Sequence, residues 1–151
     1  MAQFQARVTL PHAQERVFDF LIRTANLLAM IPPDAGMRAV AVPEILKCGS
    51  LLEFQLTQFG QSFKIVHEIT QLVAPSKVVE RQVQGLFKLW LHEHVVETAS
   101  ADEVIAIDRI EFEPPGGMLG FLITKRRILD ELESLFAHRH QQMRKMLASA
   151  A

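Results

Sequence analysis

The sequence predicts an α+β domain in which a curved antiparallel sheet wraps around a long C-terminal helix, with room between them for a small apolar molecule. Three observations carry this expectation. Segments of period-two alternation follow one another as far as residue 113, separated by gaps too short for parallel crossovers. A breaker run, Pro114-Pro115-Gly116-Gly117, then ends the strand pattern. From about Met118 to Leu147 apolar residues recur at three- and four-residue steps.

Length and composition bound the problem. A chain of 151 residues suits one domain, 1–151, and buries a real core without staples. A net charge of -1 supplies no field to draw in nucleic acid or an anionic membrane, so neither partner is expected. Cys48 is the only cysteine, which rules out an internal disulfide and fits a reducing compartment. The first residues lack the apolar core of a signal peptide, and no run of roughly 18 apolar residues exists. The expected location is therefore cytoplasmic, without stable membrane insertion. Tyrosine is absent, so no phenol acts as acid or base here. The oligomeric state is left open.

The elements follow in order. Phe4, Ala6, Val8 and Leu10 alternate with polar neighbours and read as a half-buried strand. Pro11 suits a first helical turn, and Ala13, Val17, Phe20 and Leu21 place a short helix at 12–22. Thr24 is expected to cap a second short helix that ends at Pro32-Pro33. Residues 37–45 form the weakest strand. Leu52, Phe54 and Leu56 alternate cleanly, as do Phe63, Ile65, His67 and Ile69, and segments 77–84, 88–98 and 103–113 complete six or seven strands. Gly60, Ala74-Pro75-Ser76, Gly85 and the four residues Ala99 to Asp102 mark turns. The final helix, at about 1.5 Å per residue, is expected to run roughly 45 Å from Met118 to Leu147. Ile128, Leu132, Leu135 and Phe136 lie on its apolar stripe, while Lys125, Arg126, Arg127, Asp130 and Glu131 form a solvated face. The sheet must cover its apolar face, and this helix is the only large amphipathic element available.

Three stretches carry a resemblance. They are Val78-Val79-Glu80-Arg81-Gln82-Val83-Gln84-Gly85-Leu86-Phe87, then Trp90-Leu91-His92-Glu93-His94, then Asp108-Arg109-Ile110-Glu111-Phe112 closing at Pro115. Together with Ile128-Leu129 and Leu135-Phe136-Ala137-His138-Arg139 they resemble the SRPBCC superfamily, which includes START-like and polyketide cyclase/dehydrase-like proteins. The nearest likeness is to its bacterial ligand-binding branch. The resemblance implies a helix-grip fold and says little about function, because that fold hosts transport, hormone binding, cyclisation and hydrolysis. The chain departs from its relatives in three places. Gly85-Leu86 stands where Gly-Pro is common, Phe63 or Ile65 stands for a tryptophan, and Phe112 stands for a tyrosine. The last two, like Leu86, make the expected cavity less polar.

The candidate site residues follow from these faces. His67 lies on the apolar face of its strand, as a hydrogen-bonded core histidine or a ligand contact. Leu89, Leu91 and Val95 oppose Trp90, His92 and His94, and hydrophobicity alone favours burying the leucine face; the resemblance turns the histidines inward. Asp108 shares a face with Ile110 and Phe112 and needs a partner there. His92 or His94 is that partner, and register decides: one pairing sets His92 opposite Asp108, and a shift of one residue sets it opposite Arg109. Arg139 either snorkels outward or pairs inside with Glu80 or Asp108. His92-x-His94 with His67 or Asp108 is a weak metal pattern, and no metal or other cofactor is expected. His138 and His140 read as surface residues. Two functions compete. In the first, Phe54, Leu56, Ile65, Gln82, Trp90, Ile110, Phe112, Leu132 and Phe136 line a cavity for a lipid, quinone or polyketide-like molecule, oriented by His67, His92, His94 and Asp108. In the second, His92 or His94 with Asp108 performs the acid–base chemistry of a cyclase or dehydratase in the same cavity. The glycine-rich loop 114–120 is the expected gate of either.

Overall fold

The computed structural model describes residues 1–149. Strand β1 (Ala2–Leu10) leads into two short helices, α1 (Gln14–Leu21) and α2 (Thr24–Ala29). Six strands follow: β2 (Met37–Ala41), β3 (Leu51–Gln58), β4 (Gln61–Val73), β5 (Lys77–Gln84), β6 (Leu89–Ser100) and β7 (Glu103–Glu113). A single turn, α3 (Leu119–Leu122), precedes the long helix α4 (Lys125–Ser149). All seven strands pair antiparallel in one sheet ordered β1-β7-β6-β5-β4-β3-β2. The chain thus meanders from β2 to β7 and closes by setting β7 beside β1, the α+β helix-grip arrangement expected from the sequence.

Four details differ from the sequence reading, each for a local reason. The final helical pattern breaks at Ile123-Thr124, so α4 has 25 residues and spans about 37 Å. Thr24 does not cap α2; its hydroxyl donates to the carbonyls of Pro43 and Glu44 and ties the helix to the chain after β2. The second strand ends at Ala41, and Ile45 instead bridges Arg23. The turn between β6 and β7 is Ala101-Asp102 rather than four residues, because a bulge near Ala99 extends the pairing to Ser100 and Glu103.

The interior holds two apolar clusters. The lower one joins Leu10, Val17, Phe18, Val96, Val104, Met143 and Leu147, where α1 closes the base of the sheet. The upper one joins Ala2, Ile110, Phe112, Ile128, Leu132 and Phe136. Reading along each element shows what separates them. β7 runs Val104, Ala106, Asp108, Ile110, Phe112; β6 runs Val96, His94, His92, Trp90; α4 runs Met143, His140, Arg139, Phe136. One layer of polar residues crosses the interior between two apolar halves.

Candidate functional site

The polar layer is built by register. In the β6–β7 ladder His94 faces Asp108 and His92 faces Ile110, and in the β5–β6 ladder Glu80 faces His92. His92 and His94, two apart on one strand, therefore project between the carboxylates of the two flanking strands. Their rings stack with centroids 3.7 Å apart. His92 places Nε2 2.8 Å from Asp108 Oδ1 and Nδ1 3.4 Å from Glu80 Oε1. His94 lies the other way round, Nδ1 2.8 Å from the same Asp108 oxygen and Nε2 2.9 Å from Glu80 Oε1. His67 Nδ1 is 3.2 Å from the second Glu80 oxygen, and Arg139 reaches in from α4 to 4.0 Å from Asp108 and 3.4 Å from His94. Asp108 and His92 are buried, with side chains 5% and 7% exposed.

Both carboxylates stay ionised. Burial raises the Glu80 carboxyl, but hydrogen bonds from His67, His92 and His94 outweigh it and hold the group well below its usual range. Burial acts the same way on Asp108, and the Arg139 charge with bonds from His92 and His94 reverses it. Burial lowers His94, yet its bonds to Asp108 and Glu80 dominate and raise it to about 9. Two buried anions thus face two cations, His94 and Arg139, which is what makes their burial tolerable.

Register answers the questions the sequence left open. The inward orientation of His92, His94 and Asp108 holds, but His94 rather than His92 stands directly opposite the aspartate. Arg139 turns inward to it. His140, read as a surface residue, is half-buried beside Phe136, and burial lowers its pKa. Glu80 is the acceptor that the sequence reading named only as a possible partner of Arg139. Val78 and Gln82 flank it on the same face, a pattern too mixed to rank that strand's two sides.

Above the polar layer lies an apolar cavity of about 360 Å³ between sheet and α4. Leu56, Trp90 and Leu132 line it, joined by Met37, Phe59, Leu86, Phe87, Ile123, Ile128 and Leu135. The remaining expected wall residues sit elsewhere. Ile110, Phe112 and Phe136 are packed into the upper cluster, Ile65 is buried, and Phe54 packs on the lower cluster with its ring edge-on to His67. Gln82 braces the wall without lining it: its amide donates to the Phe87 carbonyl at 2.7 Å and accepts from the Phe87 N–H at 3.4 Å. Gly85 makes room for this brace, since a Cβ there falls 2.1 Å from the Gln82 amide oxygen. Gly36, at φ +72°, lets the loop before β2 approach Thr57, whose N–H donates to the Gly36 carbonyl. Leu86-Phe87, two large apolar residues in a tight turn, were the signal in the sequence for this wall.

The rim carries the loop expected to gate the cavity. Met118 and Phe121 are each 86% exposed and Leu122 is 49% exposed, next to the wall residue Ile123. Among the described residues no helix is long and apolar enough to cross a membrane.

No protein-family model matches the sequence, and no curated protein does. Solved structures do. The protein TTHA0849 from Thermus thermophilus superposes with a TM-score of 0.72 at 14% identity, covering 99% of this chain and 100% of that one. A norcoclaurine synthase point mutant from Thalictrum flavum, in complex with a transition-state analogue, gives 0.71 at 8% identity over 99% and 95% of the chains. The ZhuI aromatase/cyclase from Streptomyces sp. R1128 gives 0.68 at 12% identity over 97% and 93%. These likenesses span whole domains at identities that speak for architecture alone: the chain shares the helix-grip fold of these structures.

Proposed function

We propose that the chain binds a small, largely apolar molecule in the cavity between the sheet and α4. The observation that carries this reading is a half-open apolar cavity between the sheet and α4. A cleft of about 360 Å³ walled by Leu56, Phe87, Trp90 and Leu132 falls within the range of small-molecule sites, about 300–1,000 Å³. The polar groups in its lining, Asp34 from the α2–β2 loop, Gln58 at the end of β3 and Arg127 and Glu131 on α4, would meet a polar end of the guest. The fold's known hosts, an aromatase/cyclase and a norcoclaurine synthase among them, are compatible with an aromatic or polyketide-like guest.

Trp90 is the only tryptophan and stands in the cavity wall, so it reports occupancy. Titration with 1-anilinonaphthalene-8-sulfonate should quench Trp90 by energy transfer, saturate at one site and raise the melting temperature. Leu56→Phe, which narrows the cavity, should abolish the effect while the protein stays folded. A wild-type protein that neither saturates nor gains thermal stability with apolar probes sinks the proposal.

The second reading, acid–base catalysis by a His–Asp pair, draws on the short His92–Asp108 and His94–Asp108 contacts. It has a geometric obstacle. Each ring already faces a carboxylate at both nitrogens, so neither offers a free nitrogen to a substrate until the network opens. Turnover of any cyclase-type substrate that survives Asp108→Asn at the wild-type rate excludes the pair from chemistry.

A further inference from the structure

We propose that the loop before α4 is a docking surface for an anionic lipid membrane, with Met118, Phe121 and Leu122 as its apolar contact and Lys88, Lys125, Arg126 and Arg127 as a basic collar. Docking needs no guest in the cavity, so it can fail while guest binding succeeds, and the reverse. Two features of the loop are unfavourable in water, and one partner offsets both. The first is exposed apolar surface. Met118 and Phe121 are almost wholly exposed, yet the loop is tied down: the Gly120 N–H donates to the Gly117 carbonyl at 3.2 Å, Phe121 to Met118 at 3.2 Å and Ile123 to Leu119 at 2.8 Å. Arg127 fixes the far end, its Nη1 donating to the Leu122 carbonyl at 3.4 Å and its guanidinium standing 5.1 Å over the ring of Phe59, which is itself exposed. The apolar loop thus continues into the rim of the cavity, where Phe59, Ile123 and Arg127 are lining residues.

The second is charge at the wrong end of a helix. Thr124 caps α4, its hydroxyl accepting from the Arg127 N–H at 3.3 Å, and the first turn is Lys125-Arg126-Arg127 with no acid in it. The N-terminal end of the helix dipole is positive, so cations there are unfavourable and an anion is favoured. Asp130 and Glu131 follow a turn later and pair with Arg126 and Arg127 at 3.5 Å. Both pairs are exposed and set the cation N-terminal to the acid, the weaker orientation. Among the described residues the lysines in ion pairs are Lys64 and Lys77, which leaves Lys125 unpaired, and Lys88 too, whose side chain lies against Gly116 of the same loop.

An anionic bilayer meets both features at once. The apolar side chains enter the boundary between headgroups and acyl chains, and the Lys and Arg heads reach the phosphates. The net charge of -1 does not oppose this, because charges in physiological salt act over about 8 Å and the membrane meets the collar rather than the whole chain. A second copy of the chain is the competing occupant. A two-fold contact through this loop brings like surfaces together, collar against collar, and the cations repel. The contact with lipid is peripheral, since α3 is a single turn and no helix among the described residues is long and apolar enough to span.

The test is cosedimentation of the full chain with vesicles of phosphatidylcholine, alone or mixed with phosphatidylserine, at physiological salt. Wild-type protein should partition onto the mixed vesicles about tenfold or more above the neutral ones. Phe121→Ser should weaken that binding about tenfold. Lys125→Glu should weaken it about fivefold or more, while Lys47→Glu, the same charge change at an exposed lysine beside Leu46 of the lower cluster, should leave it unchanged. All three positions are exposed, so the variants keep the fold. Wild-type protein that stays in the supernatant, equal partition onto neutral and mixed vesicles, or Phe121→Ser binding like wild type overturns the proposal. So does a lipid-free dimer in sedimentation velocity that Phe121→Ser dissociates, which assigns the surface to a second copy of the chain.

Discussion

Asp108→Ala is the sharpest perturbation of the polar layer. The carboxylate is 5% exposed and one of its oxygens meets His92 Nε2 and His94 Nδ1 at 2.8 Å and Arg139 at 4.0 Å. Its removal leaves the His94 and Arg139 nitrogens 3.4 Å apart with no anion between them. Breaking a buried pair from one side costs about 3–5 kcal/mol, mostly the penalty of the charge left behind. The outward neighbour Arg109 provides the control: its 2.9 Å pair with Glu93 is 46% exposed on the arginine side, and Arg109→Ala should cost about 1 kcal/mol or less. Urea unfolding of both variants measures the contrast. A loss below about 1 kcal/mol for Asp108→Ala would falsify the account of the layer as a mutually neutralising buried network.

Four further outcomes follow from the same structure. His94, raised from 6.5 to about 9, should contribute stability that is complete below pH 6.5 and lost as pH rises through 9, about 3 kcal/mol in all; His94→Gln should flatten that slope in urea titrations. The depressed carboxyls of Glu80 and Asp108 act in the opposite sense, so stability present above pH 4 should fall as pH drops below it. Gln82→Ala removes the two bonds that fix the Phe87 wall and should cost about 1–2 kcal/mol while speeding probe exchange from the cavity, which stopped-flow fluorescence reads. Phe121→Ser, at an 86% exposed position, should leave stability within about 0.5 kcal/mol of wild type and reduce retention on a hydrophobic column; a large destabilisation would mean that the loop packs somewhere.

The strands and the final helix were legible because each buries one face, and burial writes its period into the sequence. Leu52, Phe54 and Leu56 on β3 and the α4 stripe needed nothing more. The polar layer was legible only in part. His92 and His94 alternate with Leu91 and Val95, so the side with greater hydrophobicity pointed the wrong way, and the resemblance corrected it. Leu91 and Val95 end half-buried on the outer face, a cost accepted because the inner face has carboxylates to meet the rings. Glu80 sits on a strand with valines on both faces, where no period ranks the sides. Its role emerges only once β5 is laid against β6. The cavity wall was the least legible part, because Phe59, Leu86 and Phe87 come from turns, and turns carry no period at all.

The position of the polar layer explains why one half of the interior is filled and the other hollow. Below it, α1 and the C-terminal turns of α4 bring Val17, Phe18, Met143 and Leu147 against the sheet in one buried cluster. Above it, the wall is made of β2, β3 and β6 residues, loops and the N-terminal half of α4, while Ile110 and Phe112 pack into the upper cluster and do not line it. The layer also fixes the ladder that holds this geometry. A slip of one residue between β6 and β7 turns Asp108 outward and Arg109 in, placing a third cation beside His94 and Arg139 with Glu80 as the only anion. Apolar residues at these positions tolerate such a slip far better, since Ile107 on the outer face is as apolar as Ile110 on the inner. Charge in the middle of the fold thus favours the native register over the slipped one.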